Sequence, residues 1–258
     1  TGKGAVILPH GVLFRGNAEG NIRKEIVKRG YIKGIIGLPA NLFYGTGIPA
    51  CVIVIDKEGA AGRTGIFMID ASKGFIKDGP KNRLRERDLH LIVDTFLNQT
   101  EVDKYSRMVP ITEIADAKND YNLNLPRYID TSDPEDLHDL DAHLNGGIPN
   151  RDIDALGDFW KVLPKLRKSL FEPAGRDGYS KLAVPANEVP VTIANSEEFK
   201  KFSAQIHESL VSWATHADKK MKALGDKARP KDFIADLSEV LLNTFKGLPL
   251  VDSYEVYQ

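Results

Sequence analysis

Four kinds of side chain in this sequence have the means to do chemistry. His10, in Leu-Pro-His-Gly-Val, follows a short apolar run, a position where an imidazole can act as a general base. Cys51 is the single cysteine and lies inside another apolar run, so it reads as an inert core thiol, and neither a disulfide framework nor a zinc or other metal site is expected. Phe43 and Tyr44 stand side by side at the centre of the glycine-rich stretch Asn41 to Pro49. Two rings there offer flat apolar surfaces, and Gly45 and Gly47 let the backbone come close to whatever those surfaces face. The Gly-x-Gly they form lacks the third glycine and the following helix of a dinucleotide-binding loop. Finally, Lys73 to Arg87 carries six cations, Lys73, Lys77, Lys81, Arg83, Arg85 and Arg87, against two anions. Such a run can hold phosphates without reading sequence, although a solvated loop and helix start has the same composition.

Positioning these residues requires a sheet. Ala5 to Leu8, Ile32 to Leu38 and Ala50 to Ile55 are short, β-branched and bounded by Gly or Pro, the pattern of buried strands. Between the first two, Asn17 is a candidate cap for a helix with Ile22, Ile26 and Val27 on one face, and Gly30 can take the left-handed stop position. This predicts a strand-helix-strand unit. A fourth strand, Ile66 to Ile69, follows after only a Gly- and Ala-rich turn, which predicts a hairpin and an antiparallel edge on a mostly parallel sheet. Leu84 to Leu97 predicts a helix packing through Leu89, Ile92, Val93, Phe96 and Leu97. In such a sheet, the aromatic loop sits at a strand end, where open α/β sheets hold their ligands.

At 258 residues with 42% hydrophobic content, the chain is long enough for one large or two modest cores. No apolar run approaches a membrane span and the start does not read as a signal peptide, so a cytoplasmic location without a membrane partner is expected. The net charge of −1 is unlike that of a domain that grips duplex DNA by itself. Composition divides the chain into an α/β part over 1–130, an acidic, turn-rich linker over 131–150, and an all-helical region over 151–258. In the helical region, Asp152 to Leu170 reads as a helix divided at Pro164. Ser196 to Leu224 carries apolar residues at spacings of three and four, with Asn195 and Glu198 as a capping pair and Gly225 as its stop. A last helix runs from Pro230 to Gly247.

Several stretches, in order, resemble a known family. LPHGVLFRG, the helix with IRKEI, GLPANLFYGTGIPACVIVIDK, IDAS, NRLRERD, DYNLNLPRYID and LPLVDSYEVYQ are similar to the modification subunit of type I restriction-modification systems, an adenine-N6 DNA methyltransferase. The resemblance implies the second half of a Rossmann-like S-adenosylmethionine methyltransferase sheet followed by the helical region. It implies a methyl transfer to the amino group of adenine in DNA, with the specificity and restriction subunits as partners. The family's Gly-rich cofactor turn and its Asn-Pro-Pro-aromatic motif do not occur here. The cofactor half is therefore expected upstream, S-adenosylmethionine is not expected to bind this chain alone, and no catalytic residue is assigned within it. An assembly module that docks the specificity subunit or another copy is the alternative reading.

By the same resemblance, Phe43 matches the aromatic that packs against the flipped adenine, with Tyr44, Gly45 and Gly47 beside it. An enzyme acting on a base must draw it out of the duplex and hold it between apolar surfaces. His10 then has little to do, because a sulfonium is a good leaving group and the amine needs no strong base. The seam from Phe199 to Leu224 is longer than its neighbours can obviously cover, so either it is buried in this chain against Leu156, Leu163, Phe233 and Leu241 or, as the resemblance implies, part of it is a helix-helix interface with the specificity subunit.

Overall fold

The apolar runs all become strands, but their neighbours are not those predicted from the order of the chain. The computed structural model describes residues 2–132, 138–225 and 229–257, so residues 133–137 of the expected linker lie outside the described residues. The chain separates into two compact units, Thr1–Pro134 and Glu135–Tyr257.

In the first unit β1 (Lys3–Pro9), α1 (Asn17–Lys28), β2 (Ile32–Gly37), β3 (Ala50–Asp56) and β4 (Gly65–Asp70) follow the predicted sequence of elements. The cap of α1 is Gly16 rather than Asn17, with no side-chain hydrogen bond, and Gly30 adopts the left-handed conformation just beyond the helix. After β4 come a small hairpin, β5 (Ile76–Asp78) and β6 (Lys81–Arg83), then α2 (Glu86–Asn98), β7 (Ser106–Pro110) and α3 (Ile111–Ala115). The five-stranded sheet has the order β1-β3-β2-β4-β7. Only β2 and β4 are parallel; β3 is antiparallel to both β1 and β2, and β7 to β4.

The expected β3–β4 hairpin does not form, and the sheet is not mostly parallel. Instead β3 inserts between β1 and β2, and the connection from β3 to β4 passes the start of β2. Gly30 permits this crossing, because a Cβ there would overlap the Ala60 carbonyl oxygen of that connection. The Arg63 guanidinium fastens it by donating to the carbonyls of Gly30 and Asp56.

Each face of the sheet carries its own core. One contains Leu13, Val27, Ile35, Cys51, Ile66, Met68, Val109, Leu123 and Leu125, closed by α1 and by the strap 120–129. The other contains Ile36, Leu38, Phe67, Ile69 and Ile92, with Phe96 of α2 packed against it. The predicted face of α2 is thus only partly used. Ile92 and Phe96 turn inward, while Leu89, Val93 and Leu97 are exposed.

The second unit contains α4 (Leu140–Asn145), β8 (Ile148–Pro149), α5 (Asn150–Ala155), α6 (Gly157–Val162), α7 (Pro164–Leu170), β9 (Phe171–Pro173), β10 (Tyr179–Leu182), α8 (Val189–Asn195), α9 (Glu197–Lys222), α10 (Pro230–Phe245) and α11 (Ser253–Tyr257). It is mainly helical but not all-helical, since β8, β10 and β9 form a three-stranded antiparallel sheet. Pro164 starts a new helix, as its lack of an N–H allows, and a further break falls at Leu156. The cap of α9 is Ser196, whose Oγ accepts from the Phe199 N–H, rather than Asn195. Glu198 serves a different helix: its carboxylate accepts from the N–H groups of Lys165 and Leu166 at the start of α7. Among the described residues no helix is long and apolar enough to cross a membrane.

Candidate functional site

Because β1 and β2 both oppose β3, and β2 parallels β4, three strands run in the same direction and end on one edge of the sheet. The segments leaving their C-terminal ends are tied together. The His10 N–H donates to the Pro49 carbonyl at 3.2 Å, the Leu38 N–H to Ala50 at 2.8 Å, and the Ala71 N–H to Gly37 at 2.9 Å. The loop 38–49 is the largest feature at this edge, closed at its neck by the Asn41 N–H donating to Gly47 at 3.3 Å.

The two rings of the loop have different surroundings. Phe43 is half-buried and packs against the core that holds Ile36, Leu38 and Phe67. Tyr44 is 93% exposed. One ring anchors the loop with part of its surface still open, and the other projects into solvent. Gly45 lies in the left-handed region, with nothing within 4 Å of where a Cβ would sit.

The six cations of the run 73–87 have different surroundings. Lys73, Lys77 and Arg83 are exposed; Lys73 donates to the Thr131 carbonyl at 2.6 Å, Lys77 lies over the Phe75 ring, and Arg83 pairs with Asp78 at 3.2 Å. Arg85 turns inward, both its Nε and Nη2 donating to the Asp88 carboxylate at 2.8 and 2.9 Å. Arg87 also approaches Asp88, at 3.7 Å. Burial pushes the Asp88 carboxyl upward, but the Arg85 hydrogen bonds and the two guanidinium charges outweigh it and hold the pKa below its usual value. Arg85 is the N-cap residue of α2, its backbone N–H donating to the Asp88 carboxylate at 2.8 Å, and Arg87 lies in the first turn of that helix. Lys81 lies beneath the aromatic loop, its Nζ donating to the carbonyls of Phe43 at 2.8 Å and Thr46 at 3.2 Å.

Asn82 was not among the residues singled out from the sequence. It is buried, its Nδ2 donates to the Ala40 carbonyl at 2.6 Å, and its backbone N–H donates to Asn41 at 2.9 Å. No spacing signals this, because the partners are main-chain atoms some forty positions away. His10 closes the other end of the loop. Burial lowers its pKa, opposed by the Ala50 carbonyl and by Asp70, so the ring is neutral at pH 7. Cys51 is fully buried, and burial alone pushes its pKa up to about 11.

A family model described as N-6 DNA Methylase matches residues 1–137, more than half of the chain. The chain belongs to that family. Among curated relatives of this N-6 DNA methylase chain, the type I restriction enzyme MjaVII methylase subunit of Methanocaldococcus jannaschii is 39% identical over 146 residues, covering 55% of this chain and 25% of the relative. The MpnII methylase subunit of Mycoplasma pneumoniae is 28% identical over 171 residues, covering 66% of this chain and 30% of the relative. A solved type I methyltransferase subunit from Streptococcus thermophilus is 44% identical with a TM-score of 0.46, covering 50% of this chain and 27% of the other. The chain thus spans about a quarter to a third of the length of these relatives.

The family implies S-adenosylmethionine, and the strand ends here do not fit it. The turn after β1 is a short 3-10 turn, not a Gly-rich loop opening a helix. Its Gly11 is packed by the chain's own Arg15, whose Nε lies 2.7 Å from where a Cβ would be. In the loop with Gly45 and Gly47, the Phe43 and Thr46 carbonyls accept from Lys81.

Proposed function

We propose that this chain forms the second half of the adenine-N6 methyltransferase domain of a type I restriction-modification methylase subunit, together with the helical region that follows. In the complete subunit, S-adenosylmethionine is held by residues outside this chain and supplies the methyl group. This chain's part is to receive the target adenine on the loop 38–49. There the open part of Phe43 and the exposed Tyr44 give stacking surfaces, and Gly45 and Gly47 leave room for the sugar-phosphate backbone. The exposed Lys73, Lys77 and Arg83 exchange their surface contacts with Thr131, Phe75 and Asp78 for DNA phosphates, whereas Lys81, Arg85 and Arg87 have structural work. The specificity subunit chooses the DNA site, the restriction subunit completes the complex, and the assembly works in the cytoplasm.

The observation that carries this reading is an aromatic, glycine-bordered loop at the C-terminal edge of three co-directional strands, in a chain of the N-6 DNA methylase family. The test is Phe43→Ala in a complete methylase subunit assembled with its specificity subunit. Losing one stacking face costs about 1 to 3 kcal/mol, so methylation of duplex DNA should fall by roughly five- to a hundred-and-fiftyfold while cofactor affinity stays unchanged. Equal losses in both would make the ring structural.

The alternative, a catalytically silent assembly module, draws support from apolar residues of α9 left exposed in the second unit, including Leu210, Val211 and Met221. The two readings are compatible if the helical region docks the specificity subunit while the sheet serves catalysis.

A further inference from the structure

The β5–β6 hairpin has no evident job in the sheet. It pairs only with itself, Ile76 opposite Arg83 and Asp78 opposite Lys81, and adds no strand to the five-stranded sheet. Its second strand nevertheless sends two consecutive side chains into the aromatic loop. Lys81 Nζ bridges the carbonyls of Phe43 and Thr46, which lie on either side of the loop tip. Asn82 holds the near stem, with Nδ2 on the Ala40 carbonyl and its own N–H on Asn41. Consecutive strand residues point to opposite sides, so both can engage the loop only if it wraps the strand. Four hydrogen bonds, two of them charge-assisted, thus add to a loop closed at its base by Leu38 on Ala50 and His10 on Pro49 and at its neck by Asn41 on Gly47.

We propose that Lys81 and Asn82 are positioning residues for the aromatic loop, setting the height and angle at which Phe43 and Tyr44 meet an extruded base. This rests on the function proposed above. Phe43 is fixed on one side by the core and on the other by Lys81 at its own carbonyl, so its ring plane is set before a base arrives. Pre-set geometry lowers the ordering cost of capture. Without the bridge, what holds the tip from Phe43 to Gly47 among the described residues is the Phe43 ring, the Asn41–Gly47 neck and the Ile48 N–H on Thr46 Oγ1. The base would then be captured less often, although the sheet and cofactor half are untouched. Asn82 differs from a generic buried amide in that its Oδ1 is enclosed without a partner among the described residues while Nδ2 is committed to Ala40. The donor is therefore the working half of the amide.

The first test uses this chain itself and is independent of methylation. In Lys81→Met, which removes both charge-assisted bonds, hydrogen exchange at the Asn41 amide should quicken by about tenfold or more, the weight of at least one such bond, while the amides of β2, β3 and β4 stay as protected as before. Lys81→Arg, which can still span two carbonyls, should restore it. Unchanged exchange in Lys81→Met overturns the proposal. Should Lys81→Met fail to fold, Asn82→Asp, of equal size but lacking the donor, provides the same readout. The second test places the variants in a complete methylase subunit with 2-aminopurine at the target position of the DNA. Lys81→Met and Asn82→Asp should lower the fluorescence of the extruded base and kcat together, with the KM for S-adenosylmethionine unchanged, and Lys81→Arg should recover both. If Phe43→Ala impairs capture while Lys81→Met does not, the bracing role is wrong and the loop's function stands. If neither variant impairs capture, the assignment of the base to this loop falls as well.

Discussion

Arg23, in the middle of α1, donates through Nε to the carbonyl of Tyr121 at 2.7 Å, joining two residues 98 positions apart. Its Nη1 reaches the carbonyls of Val12 and Arg15, both at 2.9 Å. One buried guanidinium therefore fastens the turn after β1, the first helix and the strap that covers a face of the sheet. Leu123 continues the attachment, its N–H donating to the Leu13 carbonyl at 2.8 Å. The block DYNLNLPRYID is thus a lid on the core, with Leu123, Leu125, Tyr128 and Ile129 buried beneath it.

Replacing Arg23 with Met keeps the stem and removes the donors. Three carbonyls would lose their partners at about 1 kcal/mol each, so the chain should lose roughly 3 kcal/mol and its thermal midpoint should fall by about 10 °C. Circular dichroism melting checks this. A shift of about 1 °C or less would mean that water replaces the guanidinium without cost.

Cys51 should resist thiol reagents in the folded protein. It faces the core between Leu8 and Gly37 of the neighbouring strands, and its raised pKa leaves almost no thiolate at pH 8. Labelling with a chromogenic disulfide should proceed only as fast as the unit opens and become rapid in denaturant. Rapid stoichiometric labelling of the native chain would contradict the placement of β3.

His10 gives the first unit a dependence on acid. Burial holds its folded-state pKa below the ordinary 6.5, against the Ala50 carbonyl and Asp70, which raise it. As pH falls through 6.5, the unfolded chain takes up the proton first. Stability is therefore full above that value, is lost on acidification, and levels off once the pH is below the folded pKa. His10→Gln should narrow the difference in urea midpoint between pH 7.5 and pH 5.5. An equal difference in both proteins would place the acid sensitivity elsewhere.

The isolated chain should not bind S-adenosylmethionine. Arg15 packs the turn where β1 ends, and Lys81 takes the Phe43 and Thr46 carbonyls in the loop with the small glycine pair. Titration calorimetry should give no saturable heat at micromolar cofactor. Saturable binding would mean that a cofactor site exists within these residues.

The first four strands of the sheet are legible in their residues, while their neighbours are not, and β7, Ser106–Pro110, lies in a stretch with no apolar run to mark it. Apolar, β-branched runs mark burial on both faces, but pairing depends on where the chain crosses, and the crossing under β2 hinges on Gly30 and Arg63. A short link between β3 and β4 looks like a hairpin because the strand between them came earlier in the chain. The second unit's small sheet escapes the sequence for another reason: its strands are only two to four residues long, too short for a period of two to show. At the site, the loop and its rings could be located, but not their division of labour. Phe43 and Tyr44 are adjacent and similar in type, and only the fold shows one half-buried and the other bare. Lys81 reads as one cation of a solvated run, since carbonyls 35 and 38 positions away leave no trace in side-chain spacing.

The long helix α9 gives the sharpest test of assembly. At its start, Phe199 packs against the cluster of Leu163, Leu166 and Leu170. Further along, Trp213 Nε1 donates to the Leu237 carbonyl of α10 at 3.0 Å, and Ala217 is buried. Beyond that the cover ends among the described residues: Met221 is 52% exposed, and Leu224 just past the helix is 45% exposed. An amphipathic helix normally spends its apolar face on its own core, so the bare end is the part open to a partner, proposed to be the specificity subunit. Met221→Asp separates the possibilities. Lys219, Lys220 and Lys222 surround the site, so a carboxylate there meets compensating charge, and its clash with the helix dipole amounts to only about 0.5 kcal/mol. The melting curve should therefore stay nearly unchanged while binding to the specificity subunit, followed by gel filtration of the mixed proteins, is lost. Binding that survives Met221→Asp would remove this end of α9 from the interface.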